Sequence, residues 1–504
     1  MSIKSLEEMV FNSLPMNEEK KKVLTRRINK IKREPKDFIK SSYKKRSKQL
    51  ISKMPIKYSS KNNFTVVSAV YNVDKYLDDY FKSLVNQSIS FKRHIQLILV
   101  DDGSTDSSAE IIKRWQKKYP KNIKYFYKEN GGQSSARNLG LDYIKTEWVT
   151  FIDPDDFVDN NYFKFIDDSL SYNIGIKMLV TNLKFYFENK SIVKDTHPLK
   201  FRFKEKTALE VKSLDNNINL SASSTFFELN EIKKNNLLFD SRVKPNFEDG
   251  KFIADYLLNL SEEKMVFVEE AVYFYRKRED GTSTLDSSWE KEEKFKDVFI
   301  YGFIPMLEEY QENFGFVPKN IQKTVLYDMN WYLQYLIDKP EKISFLSDQR
   351  RELFYKLFLD VFKYIDKETI LSFFMAGAWF FQKVGMLGAF KGDKPPFQIV
   401  YIEDIDQDKK EVLISFFVYF DDYVSYKVDD NDTIPSHHKK IDRNFNETLF
   451  VHEVYSWIPY ENHTNKLDVF INGEKSRISL KGKQFFDGLT VQSIIQSFKP
   501  SQKY

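Results

Sequence analysis

The sequence predicts an α/β protein extended by a helical region and a β-rich tail. Three observations carry that reading. Between Phe64 and Ile152 short apolar runs alternate with amphipathic segments, from about residue 290 the pattern is purely helical, and after Pro395-Pro396 it turns to strands. At 504 residues the chain has room for several domains, on a prior of ~150 residues each. The pattern divides it into a basic helical arm over 1–60, an α/β domain over 61–290, a helical region over 291–394 and a β-rich domain over 395–504.

Val23, Leu24, Ile28 and Ile31 of the arm fall at helical spacing, and Pro35 interrupts the run. Residues 1–57 hold 17 Lys/Arg against 6 Asp/Glu, so the arm carries +11 while the whole chain carries only +5 and residues 58–504 sum to −6. Two readings fit such an arm: peripheral contact with an anionic membrane surface, or a solvated helical hairpin. No nucleic-acid partner is indicated.

In the α/β domain FTVVSAV, IQLILV, IKYFYK and EWVTFI read as strands, and helices run through YLDDYFKSLVNQS, SAEIIKRWQKKY and SSARNLGLDYI. A largely parallel sheet follows from that rhythm. In the helical region Val325, Met329, Leu333 and Leu336 make one apolar stripe, and Phe354, Leu357, Phe358, Val361 and Ile365 another. The apolar segment 370–390 is interrupted by Gln382 and Lys383; the uncharged run before that interruption, about a dozen residues, falls short of the ~20 of a spanning helix, and the segment reads as a buried core helix. The tail offers FQIVYI, EVLISFFVYF, LFVHEVYSWI and the pair LDVFI and RISL about an Asn472-Gly473 turn, which together suggest a small β-sandwich.

Composition removes several chemistries. There is no cysteine, hence no disulfide, thiolate-metal site or thiol nucleophile. Glu7 and Glu8 fall where a secretory signal needs apolar residues, so a cytoplasmic location is the expectation. The six histidines show no HExxH-type spacing, with His437-His438 at most a weak metal pair, and neither GxGxxG nor GxxxxGK[ST] occurs.

In open parallel sheets ligands bind beyond the carboxyl ends of the strands. Here those ends carry Ser68-Ala69-Val70-Tyr71-Asn72, then Asp101-Asp102-Gly103-Ser104-Thr105-Asp106, then Asn130-Gly131-Gly132 leading to Arg137. Each is also ordinary turn or capping chemistry. The fourth end is FIDPDDF, where Asp153 and Asp155 stand side by side; packed carboxylates repel unless protons or a cation intervene. A hard divalent ion, Mg2+ or Mn2+, would relieve that repulsion and hold a diphosphate. Farther on, Glu248-Asp249-Gly250 precedes a helix through KFIADYLLNL, which taken alone is capping chemistry. YFYRKREDGTST brings Arg276, Lys277 and Arg278 near Thr282, Ser283 and Thr284, a loop that either grips a diphosphate or is simply solvated.

Taken in order, VVSAVYNVDKYLDDYFKSLVNQS, LILVDDGSTDSS, NGGQSSARNLGL, WVTFIDPDDF, NFEDGKF and YRKREDGTST resemble the family 2 glycosyltransferases of GT-A fold, over residues 61–285. The resemblance implies that Tyr71 and Asp101 line the nucleotide-base pocket with Asp102 nearby, that Arg137 faces the nucleotide or diphosphate, and that Arg276 and Ser283 also serve the nucleotide sugar. It makes Asp153 and Asp155 the family's DxD pair, with Asp155 on Mn2+ or Mg2+, and Asp249 the base of an inverting reaction. The rest of the chain is similar, in architecture only, to larger bacterial members that build or decorate wall teichoic acids and capsular polymers. The implied partners are a nucleotide-sugar donor, most simply a UDP-sugar, and a polymer or glycan acceptor, with the tail as a candidate for homo-oligomerisation. A lipid-linked or protein acceptor, a nucleotidyltransferase, and a non-catalytic carbohydrate-binding relic of the fold are the competing readings.

Overall fold

The computed structural model describes residues 60–204, 208–278 and 287–498. Residues 1–59 of the basic arm and Ser283 lie outside them. The α/β part is built on strands β1 (Phe64–Val70), β2 (Ile95–Asp102), β3 (Ile123–Lys128), β4 (Trp148–Thr150), β5 (Phe157–Val158), β6 (Ile176–Phe187), β7 (Ile192–Lys194), β8 (Ala208–Glu210), β9 (Thr225–Glu228) and β10 (Lys264–Lys277). The main sheet runs β3-β2-β1-β4-β9-β6-β10-β5, with β7 on β6 and β8 on β10.

Its first half is the parallel sheet the sequence suggests: β1 pairs in parallel with β2 and β4, and β2 with β3. The second half departs from it. Strand β9 is antiparallel to both β4 and β6, and β5 is antiparallel to β10, while β6 and β10 pair in parallel. The whole is therefore a mixed sheet. Val70 and Asp101 are register partners, so the loops after β1 and β2 open at the same edge.

Successive residues of a strand face opposite sides, and both sides are covered. On one side Phe64 meets Phe163 of α4 (Tyr162–Tyr172), ring centroids 5.4 Å apart. On the other, Val67, Ile98, Val100, Val149 and Met178 pack with Ala136 and Leu141 of α3 (Gln133–Leu141) and with Phe252, Ile253 and Tyr256 of α5 (Glu248–Leu258). Helices α1 (Asp74–Val85) and α2 (Ser108–Lys118) supply the crossovers before and after β2. Each fully buried Phe or Val contributes roughly 1.5–3 kcal/mol.

The helical region begins with a 3-10 turn at Glu292–Phe295 and a π-helical turn at Val298–Phe303 and continues as α6 (Ile304–Phe314), α7 (Lys319–Leu336), α8 (Asp348–Phe362), α9 (Lys367–Ser372) and α10 (Phe380–Lys391). The two apolar stripes read from the sequence fall on α7 and α8, with Ile365 just beyond, and all of these residues are buried. The segment 370–390 is not one helix. It turns at Ala376 (φ 52) and Gly377 (φ 68), where Asn330 and Gln334 of α7 donate to the Ala376 carbonyl at 2.9 and 2.5 Å. No helix among the described residues is long and apolar enough to cross a membrane.

The tail forms two sheets. One has six strands, β15-β16-β12-β11-β19-β20, and the other five, β14-β13-β17-β18 with β21 beside β17. In chain order they are β11 (Ile399–Asp406), β12 (Glu411–Val418), β13 (Val424–Val428), β14 (Asn431–Thr433), β15 (His437–Phe445), β16 (Thr448–Pro459), β17 (Lys466–Ile471), β18 (Glu474–Lys475), β19 (Arg477–Leu480), β20 (Lys483–Phe485) and β21 (Leu489–Thr490). Val400, Ile414 and Phe416 of the first sheet share a core with Tyr426, Val469 and Ile471 of the second. The Asn472-Gly473 turn returns the chain only for Glu474–Lys475. RISL then crosses to the other sheet and pairs in parallel with β11, so the LDVFI–RISL hairpin suggested by the sequence does not form.

Helix α3 lies close on β1 because Gly140 has no side chain: a Cβ there would overlap Val67 Cγ1. Gly140→Ala is therefore expected to destabilise the fold by about 1–3 kcal/mol, the usual range for overpacking. A urea titration of the two proteins measures it.

Candidate active site

The loop after β4 explains how three aspartates share one turn. Phe151 and Ile152 are fully buried and hold the loop down, and the Ile152 carbonyl accepts from Ser68 Oγ at 2.5 Å. Each carboxylate that follows then has its own partner. Asp153 Oδ1 accepts from Arg137 Nη2 at 2.9 Å and from Gln133 Nε2 at 3.0 Å. Asp155 Oδ2 accepts from Arg278 Nε and Nη2 at 3.1 and 2.6 Å. Asp156 accepts from Tyr273 Oη at 2.6 Å and from the Arg276 amide at 2.7 Å.

Arg137 projects from α3 into this loop and is 1% exposed. Its Nη1 donates to Asp249 Oδ1 at 2.5 Å, so one guanidinium bridges Asp153 and Asp249. It also lies 5.1 Å from the Phe239 ring and 6.0 Å from that of Phe151. Glu248 and Asp249 form the first turn of α5 rather than preceding it. Asp249 does not cap its own helix: its Oδ2 accepts from the Ala222 amide at 2.7 Å.

Burial pushes Asp153 up to about 6; Arg137 pulls against that shift, and Asp155 and Asp249 add to it. Glu248 is pushed up to about 8, first by burial and then by the charge of Asp249. Asp156 lies well above the carboxylate range, through burial and then Asp155 and Asp153. For Arg137, burial opposes the charge, but Asp249 and Asp153 outweigh it and raise its pKa.

The remaining sequence candidates occupy distinct places. Tyr71, 51% exposed, follows β1. Asp101 accepts from the Ser104 amide at 2.8 Å and from Tyr125 Oη at 2.7 Å. Asn72 ties these two loops together, accepting from the Thr105 amide at 2.8 Å. Asp102 sits beneath the glycines: its carboxylate accepts from the Gly131 and Gly132 amides at 2.9 and 2.7 Å and from Lys128 Nζ at 2.6 Å. The Asn130-Gly131-Gly132 stretch is thereby held at the start of α3, where Gly132 takes a φ of 89 that favours glycine.

Arg276 is directed inward. Its guanidinium lies 5.0–5.3 Å from the rings of Tyr76, Phe157 and Tyr186 and bonds to the Asp155 carbonyl, Asp79 and Glu188. It braces the aspartate loop, and the arginine that reaches the Asp155 carboxylate is Arg278. Arg278 belongs to the basic trio read from the sequence, whereas Gln133, Tyr273 and the Ala222 amide carry no such reading. Gln133 could have carried one, because it stands four residues before Arg137 on one helical face. The Ala222 amide has no sequence signal.

Among the described residues no group of three or more His, Asp or Glu side chains converges as a metal site. His438 of the His437-His438 pair lies on β15, with Nδ1 3.1 Å from Ser456 Oγ. The oxygens at hand are Asp153 Oδ2 and Asp155 Oδ1, which accept no hydrogen bond among the described residues. That set fits an ion that takes one or two carboxylates and fills its other positions with water and phosphate oxygens. It does not fit an all-protein cage.

Comparison with known proteins agrees with the motif order. The model of the family described as Glycosyl transferase family 2 matches residues 65–166. The minor teichoic acid biosynthesis protein GgaB of Bacillus subtilis is 32% identical over 313 residues, 62% of this chain and 33% of GgaB. GgaA of the same organism is 31% identical over 314 residues, 61% of this chain and 68% of GgaA. The poly(ribitol-phosphate) beta-N-acetylglucosaminyltransferase TarS of Staphylococcus aureus is 27% identical over 240 residues, 47% of this chain and 39% of TarS. The chain thus spans about a third of the length of GgaB and two thirds of that of GgaA. The crystal structure of S. aureus TarS shares the fold, with a TM-score of 0.51 at 15% identity over 84% of this chain and 79% of TarS.

Arg137→Met would leave Asp153 and Asp249 facing each other without a counter-charge, and a broken buried pair costs about 3–5 kcal/mol. The loss should shrink in acid. Asp153 already holds its proton up to about 6 with Arg137 present, and without it would hold the proton higher still, so stability is retained below that pKa and lost as the pH rises through it. Urea midpoints of both proteins at pH 5 and pH 7.5 test this; an equal deficit at the two values would contradict it.

Proposed function

This chain belongs to glycosyl transferase family 2, and from that premise we propose that it transfers a sugar from a nucleotide sugar to a hydroxyl of a bacterial surface polymer. The observation that carries the reading is the bridge of Arg137 between Asp153 and Asp249, which joins a leaving-group loop to a base at the carboxyl ends of the parallel strands. The family's motifs supply these residues in order, and relatives named for minor teichoic acid and poly(ribitol phosphate) support a teichoic-acid-type acceptor.

In this reading the acceptor oxygen attacks the anomeric carbon from the face opposite the diphosphate. As the new carbon–oxygen bond forms, the bond to the diphosphate oxygen breaks and its electron pair departs with the nucleoside diphosphate. The acceptor proton passes to Asp249, whose orientation comes from Arg137 Nη1 and the Ala222 amide. Arg137 lies against that carboxylate as its counter-charge. One displacement inverts the anomeric centre, and no covalent enzyme intermediate is formed.

Tyr71 offers a ring for the base to stack on. Each oxygen of Asp101 accepts one bond from the protein and retains a lone pair that a uracil imide N–H would meet, which favours a UDP-sugar. Asp155, with Asp153, would hold Mn2+ or Mg2+, whose positive charge stabilises the diphosphate as it leaves. Arg278, already on Asp155, is the nearby cation for the same charge.

Two outcomes follow. Asp249→Asn should bind donor almost normally while turnover falls by about 10²-fold or more, in line with general-base contributions; calorimetry and nucleoside diphosphate release separate the two quantities, and full activity would place the base elsewhere. In a panel of nucleotide sugars with Mn2+, release from one donor should vanish with EDTA, and Asp155→Ala should require more Mn2+ for half-maximal release. An unchanged Mn2+ requirement would remove Asp155 from the metal.

A further inference from the structure

Two residues just ahead of Asp249, Asn246 and Phe247, are held from outside the α/β part. Phe247 has φ 82 and ψ −2, a left-handed conformation that a bulky residue rarely adopts. It turns the chain into α5, and its carbonyl accepts the first helical bond, from the Lys251 amide at 3.0 Å. Its ring sits between two glycines. A Cβ on Gly250 would come within 2.8 Å of Phe247 Cε2, and one on Gly302, in the π-helical turn, within 3.2 Å of Cδ1. The adjoining Phe303 ring is 4.5 Å away and tilted by 72°.

One residue earlier, Asn246 Oδ1 accepts from Lys294 Nζ at 3.0 Å. Lys294 is 2% exposed, boxed by the rings of Trp289 and Tyr332 at 4.5 and 4.8 Å, and its own carbonyl accepts from Tyr332 Oη at 2.7 Å. A buried ammonium whose hydrogen bond ends on the turn before a carboxylate, beside a strained phenylalanine slotted between glycines, is more machinery than core packing requires.

We propose that Phe247 and Lys294 are positioning residues for Asp249: through them the helical region fixes the backbone from which the acceptor-activating carboxylate projects. The proposal rests on the reading of Asp249 as the base. Arg137 and Ala222 aim the carboxylate from the sheet side, and the wedge and the boxed lysine hold its main chain from the other, so the helical region completes the acceptor half of the site.

Lys294→Met keeps much of the side-chain volume but removes the donor to Asn246, and Gly302→Ala presses a methyl group on the Phe247 ring. In both full-length variants amide exchange over residues 246–251 should quicken, and turnover of the donor found in the panel should fall about 10-fold to 100-fold, the scale for a misplacement near 1 Å. Calorimetric affinity for UDP with Mn2+ should stay within about twofold, since donor contacts lie elsewhere in the site. Normal turnover despite faster exchange would overturn the proposal, as would unchanged exchange or a parallel loss of UDP affinity. A wild-type chain that turned over no donor would instead overturn the functional reading, while exchange would still report whether the helical residues hold this turn.

Discussion

Arg137 carries its charge at 1% exposure, where an unpaired cation could not be kept. The two carboxylates on either side of it are what make its position tenable, and they come from parts of the chain far apart in sequence. Asp153 ends a strand in the parallel half of the sheet, while Asp249 opens a helix that covers the other half. Satisfying one guanidinium therefore fixes the loop after β4, the start of α5 and the rotation of α3 together. Nε of Arg137 has no hydrogen-bond partner among the described residues, and the rings of Phe239 and Phe151 lie close by. Such a network tolerates little displacement, because moving any member strands a buried charge.

That constraint bears on how the aspartate loop can work. Asp153 is tied to the fold by Arg137 and Gln133, Asp156 by Tyr273 and the Arg276 amide, and Asp155 by an arginine at the end of β10. All three carboxylates are thus part of the scaffold that holds the turn. The Arg278 side chain on Asp155 is 19% exposed against 1% for Arg137 on Asp153, so Asp155 has the less deeply buried cation of the two.

The parts that sequence reasoning recovered are those encoded locally. Apolar runs at period 2 and stripes at period 3.6 mark β1 to β4, α7 and α8, and the ends of the parallel strands announce their polar residues. Pairing direction is not local. Whether the chain from Ile176 to Lys277 returns parallel or antiparallel depends on partners tens of residues away, so the antiparallel half, and RISL in the tail, escaped. The same limit applies to the site. Arg276 and Arg278 differ by two positions in a basic trio, and only tertiary surroundings decide that the first, buried among three rings, braces the loop while the second meets Asp155. The Ala222 amide is a backbone group and has no residue type to signal it. The break at Ala376 and Gly377 was hidden in an apolar composition that either one helix or two would satisfy.

Gly385 and Gly388 sit where α10 meets the tail, and a Cβ on either would overlap Phe450 or Tyr419. Phe445, Phe450 and Val451 of the tail belong to the same buried cluster as α7 and α8. The place where the sequence changes character, near Pro395-Pro396, is thus not a place where the interior ends. A recombination event that exchanged tails at that point would have to exchange the bulges that fit those glycines too. Helical region and tail are in this sense one heritable unit, and diversity in this part of the molecule should accumulate on outer faces rather than by swapping modules.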